Sequence, residues 1–130
     1  MAISLNIFKK KTVLIIEDDK ALRKVLCDKI HSEGWNVFEA PDGREGLSSA
    51  IQNHPDVILL DLMLPQMDGI SLLEELRKDE WGIGAKVLIM SNLVKGAALL
   101  EQVKKYHAAD FIEKADMSLD IIVEKIRKLL

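Results

Sequence analysis

The sequence predicts an α/β fold, a doubly wound five-stranded parallel sheet with five helices divided between its two faces. Three observations lead to it. Apolar runs of strand length alternate strictly with longer stretches of helical period. Three of the runs, Val13-Leu14-Ile15-Ile16, Val57-Ile58-Leu59-Leu60 and Val87-Leu88-Ile89-Met90, are apolar at every position, as strands are when both faces of a parallel sheet are covered. No low-complexity tract or Pro/Gly/Ser-rich linker interrupts the alternation, so the crossovers belong to one domain and are expected to be right-handed.

Strands are expected at Thr12–Ile16, Asn36–Ala40, 57–60, 86–90 and Asp110–Glu113, with the three wholly apolar runs central. Between them Leu22, Val25, Leu26 and Ile30 recur at helical spacing, then Leu47, Ala50 and Ile51, then Leu72, Leu73 and Leu76, each set giving a helix one face for the sheet. Asp42 with Glu45 three residues later makes a capping-box-like start for the second helix, with Asp in place of Ser or Thr. The stretch 95–107 is the weakest helix, because Gly96 stands near its start and its packing rests on Ala97, Leu100 and Val103. Ser118 is the N-cap of the last helix, where Leu119, Ile122, Val123, Ile126 and Leu130 repeat the apolar period.

The length of 130 residues fits one domain, placed at 12–130 and preceded by an N-terminal arm at 1–11. Eighteen basic against twenty-one acidic residues, a net charge of -3, offer no global attraction to a polyanion, which argues against direct nucleic-acid binding. The single cysteine, Cys27, cannot form an internal disulfide; a buried thiol and a cytoplasmic location are expected. In the opening MAISLNIFKKK the lysines follow the apolar stretch, the reverse of a signal peptide, and no run is long enough to span a bilayer. His31, His54 and His107 have no metal-ligand spacing, and Trp35 and Trp81, near the starts of strands two and four, are expected to be structural.

In a doubly wound sheet the functional crevice lies beyond the carboxyl ends of the strands. Strand one is followed by Glu17-Asp18-Asp19, strand three by Asp61, strand four by Ser91-Asn92 and strand five by Lys114. Asp19 and Asp68 fit the ordinary role of turn formers and helix caps. Glu17, Asp18 and Asp61 together do not, because clustered carboxylates raise one another's pKa unless a cation lies among them. Oxygen-only ligands suit Mg²⁺, and a metal beside a lysine suits a phosphoryl group. Asp61, closing a buried strand, is then the nucleophile, with Lys114 and the Ser91 hydroxyl on the phosphoryl oxygens.

The stretches Val13-Leu14-Ile15-Ile16-Glu17-Asp18-Asp19 and 55–69, Pro-Asp-Val-Ile-Leu-Leu-Asp-Leu-Met-Leu-Pro-Gln-Met-Asp-Gly, followed in order by Ser91 and Lys114, resemble the receiver domains of response regulators. The resemblance runs from Thr12 to the last residue. It implies a flavodoxin-like sheet in the order 2-1-3-4-5, an arrangement for which a receiver is a standard illustration. It also implies that Asp18 ligates Mg²⁺ directly and Glu17 through water, that Asp61 both binds the metal and accepts the phosphoryl group, and that the backbone carbonyl of Met63 completes the protein ligands. Ser91 and Lys114 sense the phosphoryl group, and Phe111 matches the aromatic residue that swings inward as the serine moves. The implied partners are a histidine kinase or phosphotransfer protein upstream and a downstream protein on the face of helix 4, strand 5 and helix 5.

Three positions depart from the family pattern. Ala115 follows Lys114 where proline, joined by a cis bond, is usual; a cis bond to alanine costs about 2.5 to 4 kcal/mol, so the approach of the lysine is open. Asn92 stands where a smaller residue is usual and is expected to narrow access to Asp61. Met63 and Leu93 match the positions that tune hydrolysis, and as apolar residues they are expected to leave the phosphorylated state long-lived. The expected function is a phosphorylation-controlled switch rather than an enzyme of steady turnover. The alternative is a receiver-like scaffold that binds a partner without phosphorylation.

Overall fold

The structure, a computed structural model, describes residues 9–92 and 97–130. The first eight positions of the expected arm, Leu93 and the start of the helix expected at 95 lie outside the described residues. Five strands, β1 (Thr12–Ile16), β2 (Asn36–Ala40), β3 (Val57–Asp61), β4 (Val87–Ser91) and β5 (Asp110–Glu113), pair in parallel in the order β2-β1-β3-β4-β5. The connecting helices are α1 (Lys20–Ser32), α2 (Gly43–Asn53), α3 (Gly69–Lys78) and α4 (Ala97–Lys105), and α5 (Leu119–Leu129) follows the last strand. The five-stranded, flavodoxin-like fold predicted above is therefore the observed one, in the order 2-1-3-4-5.

The alternation within each strand divides the core in two. Leu14, Ile16, Ile58, Leu60, Val87 and Ile89 meet Ala50 of α2, Leu72, Leu73 and Leu76 of α3, and Val103 of α4. Their neighbours Val13, Ile15, Val57, Leu59, Leu88 and Met90 meet Leu26 and Ile30 of α1 and Ile122 and Ile126 of α5. Asp19, Asp42, Asp68 and Ser118 all act as N-caps, each accepting a backbone N–H from the first turn of its helix.

Several details differ from the sequence reading. The third and fourth strands run one residue further than expected, so Asp61 and Ser91 belong to the sheet itself, and β4 begins at Val87 rather than Lys86. Val25 and Ile51 do not face the sheet: they are 47% and 38% exposed, because Leu26 with Ile30, and Ala50 with Leu47, already fill the inward stripes of their helices. Cys27 is half-buried rather than buried, with its Sγ 3.7 Å from Glu39 Oε2. Burial, reinforced by the Glu39 carboxylate, pushes this thiol up to about 11.

Arg77, at the end of α3, gave no signal in the sequence. Its guanidinium donates to four backbone carbonyls, Tyr106 at 2.8 Å, His107 at 3.0 Å, Gly82 at 2.7 Å and Ala85 at 2.8 Å. It therefore ties the end of α4 and the approach to β4 onto α3. Charge-assisted bonds of this kind are stronger than neutral ones, and their loss leaves carbonyls without donors. Arg77→Ala is expected to cost about 3 kcal/mol in urea unfolding, and Arg77→Lys most of that, since one ammonium cannot span the same fork. A change within experimental error would show that water replaces the guanidinium without cost.

Candidate functional site

Ile16 and Leu60 are register partners on adjacent strands, so the next residues, Glu17 and Asp61, emerge side by side. Both are acids without access to water, at 0% and 2% exposure. The Glu17 backbone is fixed on both sides: its N–H donates to Ala40 O at 3.1 Å and its carbonyl accepts from Arg23 Nη1 at 2.8 Å. Asp18 is exposed, yet its carboxylate comes within 4.8 Å of both Glu17 and Asp61.

From the far side of the sheet, β5 delivers Lys114 through a short 3₁₀ turn, Lys114–Asp116. Its Nζ lies 2.9 Å from Glu17 Oε1 and 2.8 Å from Asp61 Oδ2. No cis peptide bond occurs among the described residues, so the lysine reaches both acids across a trans bond to Ala115. The other oxygen of Asp61, Oδ1, accepts the backbone N–H of Met63 at 3.0 Å.

Two glycines let the loop after Asp61 pack without a gap. A Cβ on Gly69 would stand 2.6 Å from Leu62 Cα, and one on Gly43 would stand 1.8 Å from the Met67 carbonyl oxygen. Neither space admits a side chain, so the first turns of α2 and α3 press directly on the loop backbone.

Ser91, opposite Glu113 in the ladder, is 1% exposed, and its Oγ has no hydrogen-bond partner among the described residues. Phe111 pairs with Ile89, two residues before Ser91 on the same face of β4. It is half-buried against the α2, α3 and α4 layer. Met63 is 71% exposed at the mouth, and Asn92 is exposed beside it in sequence to Ser91. Glu17, Asp18, Asp61 and Lys114 thus form one cluster, with Ser91 at the adjoining strand end. His31, His54 and His107 are exposed and belong to other parts of the molecule. The anchoring of Glu17 by Arg23, itself paired with Glu39 at 2.9 Å, had no signal in the sequence.

Burial and the neighbouring Asp61 push Glu17 up to about 7, with Lys114 acting in the opposite sense. Burial pulls Lys114 down, but the Asp61 and Glu17 carboxylates outweigh it and hold the ammonium above the ordinary lysine value. Three carboxylates against one ammonium leave the rim in excess negative charge. An oxygen-only donor set with that excess fits a hard divalent cation.

The raised pKa of Glu17 has a definite sign in stability. The folded state holds this proton more tightly than the unfolded chain, so the contribution is full below the ordinary carboxylate range and is lost as pH rises through about 7. In the presence of chelator Glu17 is therefore expected to contribute about 2 kcal/mol less to stability at about pH 7.5 than at about pH 5.5. Asp61→Asn should raise the melting temperature at the higher pH and flatten the slope. Unfolding scans at the two pH values check this; a wild-type slope unchanged in the variant would contradict it.

Residues 13–127 match the response regulator receiver domain family. The probable transcriptional regulatory protein TcrX of Mycobacterium tuberculosis is 31% identical over 121 residues, covering 92% of this chain and 49% of that protein. The DNA-binding dual master transcriptional regulator RpaA of Synechocystis is 40% identical over 81 residues, 62% of this chain and 34% of that one. The chain spans half or less of the length of these curated relatives. Among solved structures, the receiver domain of Francisella response regulator 1452 superposes with a TM-score of 0.82 at 33% identity, covering 92% of this chain and 96% of that one. The response regulator domain of Thermotoga maritima CheB gives 0.81 at 32%, covering 93% and 96%. Vibrio cholerae CheY4, at 0.86 and 21% identity over 94% and 100%, adds the fold alone. By the family match, and by these relatives in sequence and structure, the chain belongs to the response regulator receiver domains of two-component systems.

Proposed function

We propose that this domain is a phosphorylation-controlled switch that accepts a phosphoryl group from a phosphohistidine onto Asp61, with Mg²⁺ held by Asp18, Asp61, the Met63 carbonyl and, through water, Glu17. The observation that carries the reading is the clustering of the Glu17, Asp18 and Asp61 carboxylates within 4.8 Å, with Lys114 2.8 Å from Asp61. The metal, when bound, neutralises charge on the phosphoryl oxygens and the attacking carboxylate.

Asp61 forms the new O–P bond with a carboxylate oxygen as the donor's P–N bond breaks, and the electron pair leaves on the imidazole nitrogen. Such transfer depends mainly on positioning and charge neutralisation, and the Met63 N–H and Lys114 each take one Asp61 oxygen and so fix the orientation of its carboxylate. Lys114 then takes a phosphoryl oxygen as a point charge. The Ser91 hydroxyl, which has no hydrogen-bond partner among the described residues, gains an acceptor by turning toward the phosphoryl group. Phe111, paired with Ile89 two residues before Ser91 on the same face of β4, is the aromatic residue proposed to swing inward with that movement.

The face of α4, β5 and α5 is the proposed output surface for a downstream protein, and a histidine kinase or phosphotransfer protein is the proposed donor, in the cytoplasm. Phosphorylation shifts that face only by its differential contacts with the two states, and the buried Ser91 hydroxyl is one such contact.

Incubation with acetyl phosphate and Mg²⁺ is expected to add one phosphoryl group by intact mass, with none in Asp61→Asn or under chelation. Label retained by the Asn variant, or absent from folded wild type even with a phosphohistidine donor, would overturn the assignment. Because Met63 is apolar and 71% exposed at the mouth, it orients no water there. The label on wild type is therefore expected to outlast that on Met63→Asn several-fold; equal decay would remove Met63 from the account. Leu93, its expected counterpart, lies outside the described residues.

A further inference from the structure

Of the three carboxylates at the rim, two are held by bonds of their own. Lys114 Nζ lies on Glu17 Oε1 and Asp61 Oδ2, and the Met63 N–H on Asp61 Oδ1. The Asp18 carboxylate is exposed and makes no hydrogen bond among the described residues, yet it comes within 4.8 Å of both buried acids. With no side-chain bond to place it, its position is set by its backbone.

That backbone is fixed on both sides. Ahead of Asp18, the Glu17 carbonyl accepts from Arg23 Nη1 at 2.8 Å while the Glu17 N–H is held by Ala40 O. The Glu17 carbonyl belongs to the planar peptide that carries the Asp18 N–H, so Arg23 sets the plane from which Asp18 projects. Behind it, the Asp19 carbonyl accepts the Arg23 N–H at 2.8 Å, and the Asp19 side chain caps α1 by accepting from Ala21 N and Leu22 N. Arg23 thus closes a ring round Asp18, with its own backbone on one side and its guanidinium on the other. The guanidinium is itself oriented. Its side chain is 14% exposed, and Nε donates to Glu39 Oε1 of β2 at 2.9 Å, while the Cys27 thiol approaches the other Glu39 oxygen at 3.7 Å. The start of α1, the end of β1 and the edge strand β2 therefore meet at one side chain.

We infer that Arg23 is a positioning residue for the divalent-cation site, holding the Glu17–Asp18 peptide so that the Asp18 carboxylate is already aimed at the ion. The inference rests on the Mg²⁺ site proposed above. If the peptide were free to turn, the order that Asp18 needs would come out of the binding free energy of the metal. Groups that orient metal ligands typically contribute about ten- to a hundredfold in affinity. Arg23 grips the backbone rather than the ligand atoms, which puts it at the lower end of that range. Its charge acts in the opposite sense: a cation beside an acidic rim repels a second cation, so a guanidinium that mattered only as a charge would weaken metal binding by its presence. Loss of Arg23 therefore weakens the site if it positions and tightens the site if it merely repels. Arg23→Lys keeps the charge, but one ammonium does not span the Glu17 carbonyl and Glu39 as the guanidinium fork does.

The test is the metal affinity of the whole chain, read without phosphorylation: free Mn²⁺ is followed by electron paramagnetic resonance as Mg²⁺ displaces it. Arg23→Ala is expected to bind Mg²⁺ about tenfold more weakly than wild type, and Arg23→Lys several-fold more weakly. Arg77→Ala, which loosens the fold at the far end of α3, is the control and is expected to bind as wild type. Circular dichroism establishes that each variant is folded, and Arg23→Lys carries the test if Arg23→Ala does not fold. Wild-type affinity or tighter binding in either Arg23 variant would overturn the inference, and so would an equal loss in Arg77→Ala, which would make the effect one of general stability. A wild type that binds neither ion would overturn the metal site and this inference together. A wild type that binds Mg²⁺ with the expected losses in the variants, yet accepts no phosphoryl group, would support the inference and sink the phosphoacceptor reading alone.

Discussion

β1 and β3 lie side by side, and from Val13 to Ile16 and from Val57 to Leu60 every side chain is wholly withdrawn from water. Two adjacent strands of this kind can exist only if both faces of the sheet are covered, and the remaining elements follow from that. Alternate residues go to α2, α3 and α4 on one side and to α1 and α5 on the other. Because each crossover returns the chain to the same edge, every strand also ends at the same rim. Polar chemistry is excluded from the strand interiors and concentrated at their ends, and the pairing of Ile16 with Leu60 puts Glu17 and Asp61 next to each other.

That placement is electrostatically unfavourable in itself. Two acids out of contact with water share one ammonium, and Glu17 resists ionisation as a result. The surrounding structure over-determines the geometry: Arg23 and Ala40 grip the Glu17 backbone, Met63 N–H holds one Asp61 oxygen, and Gly43 and Gly69 allow two helix starts to press on the loop behind it. Preorganisation of this kind keeps charged groups in place where solvent would otherwise screen them apart. The stability given up at this rim is consistent with its proposed role, since a bound cation or phosphoryl group would find its partners already oriented.

Much of this was legible in the sequence for one reason: the site residues stand where apolar runs stop. Glu17, Asp18, Asp61 and Ser91 could be picked out because a strand buried on both faces cannot carry them any earlier, whereas Lys114 follows the edge strand β5, which itself carries Asp110 and Glu113. Interactions that depend on how separate elements meet were not legible. The four carbonyls of Arg77 come from segments up to 30 residues away, and no local pattern marks them. Lys114 was expected at the rim, but its equal division between Glu17 and Asp61 depends on the 3₁₀ turn that follows β5. Val25 and Ile51 look like core residues by period, yet each is adjacent to a residue that already fills the inward stripe, so helical spacing alone placed them on the wrong side.

The same winding separates charge along the molecule. Helices following parallel strands start at the site rim and finish at the opposite one, so their dipoles add rather than cancel. Asp19, Asp42 and Asp68 cap the starts of α1, α2 and α3, whereas Lys29 and His31, Arg77 and Lys78, Lys104 and Lys105, and Arg127 and Lys128 occupy the last turns of α1, α3, α4 and α5. The positive ends of the helices thus face the carboxylate cluster and moderate its repulsion, a service that the same side chains in an antiparallel arrangement would not receive. At the far rim the negative helix ends favour cations, and the lysines before β1 and β4 extend that preference outward. The acidic site and the basic pole are two consequences of one topology, which is why neither is apparent from a net charge of -3.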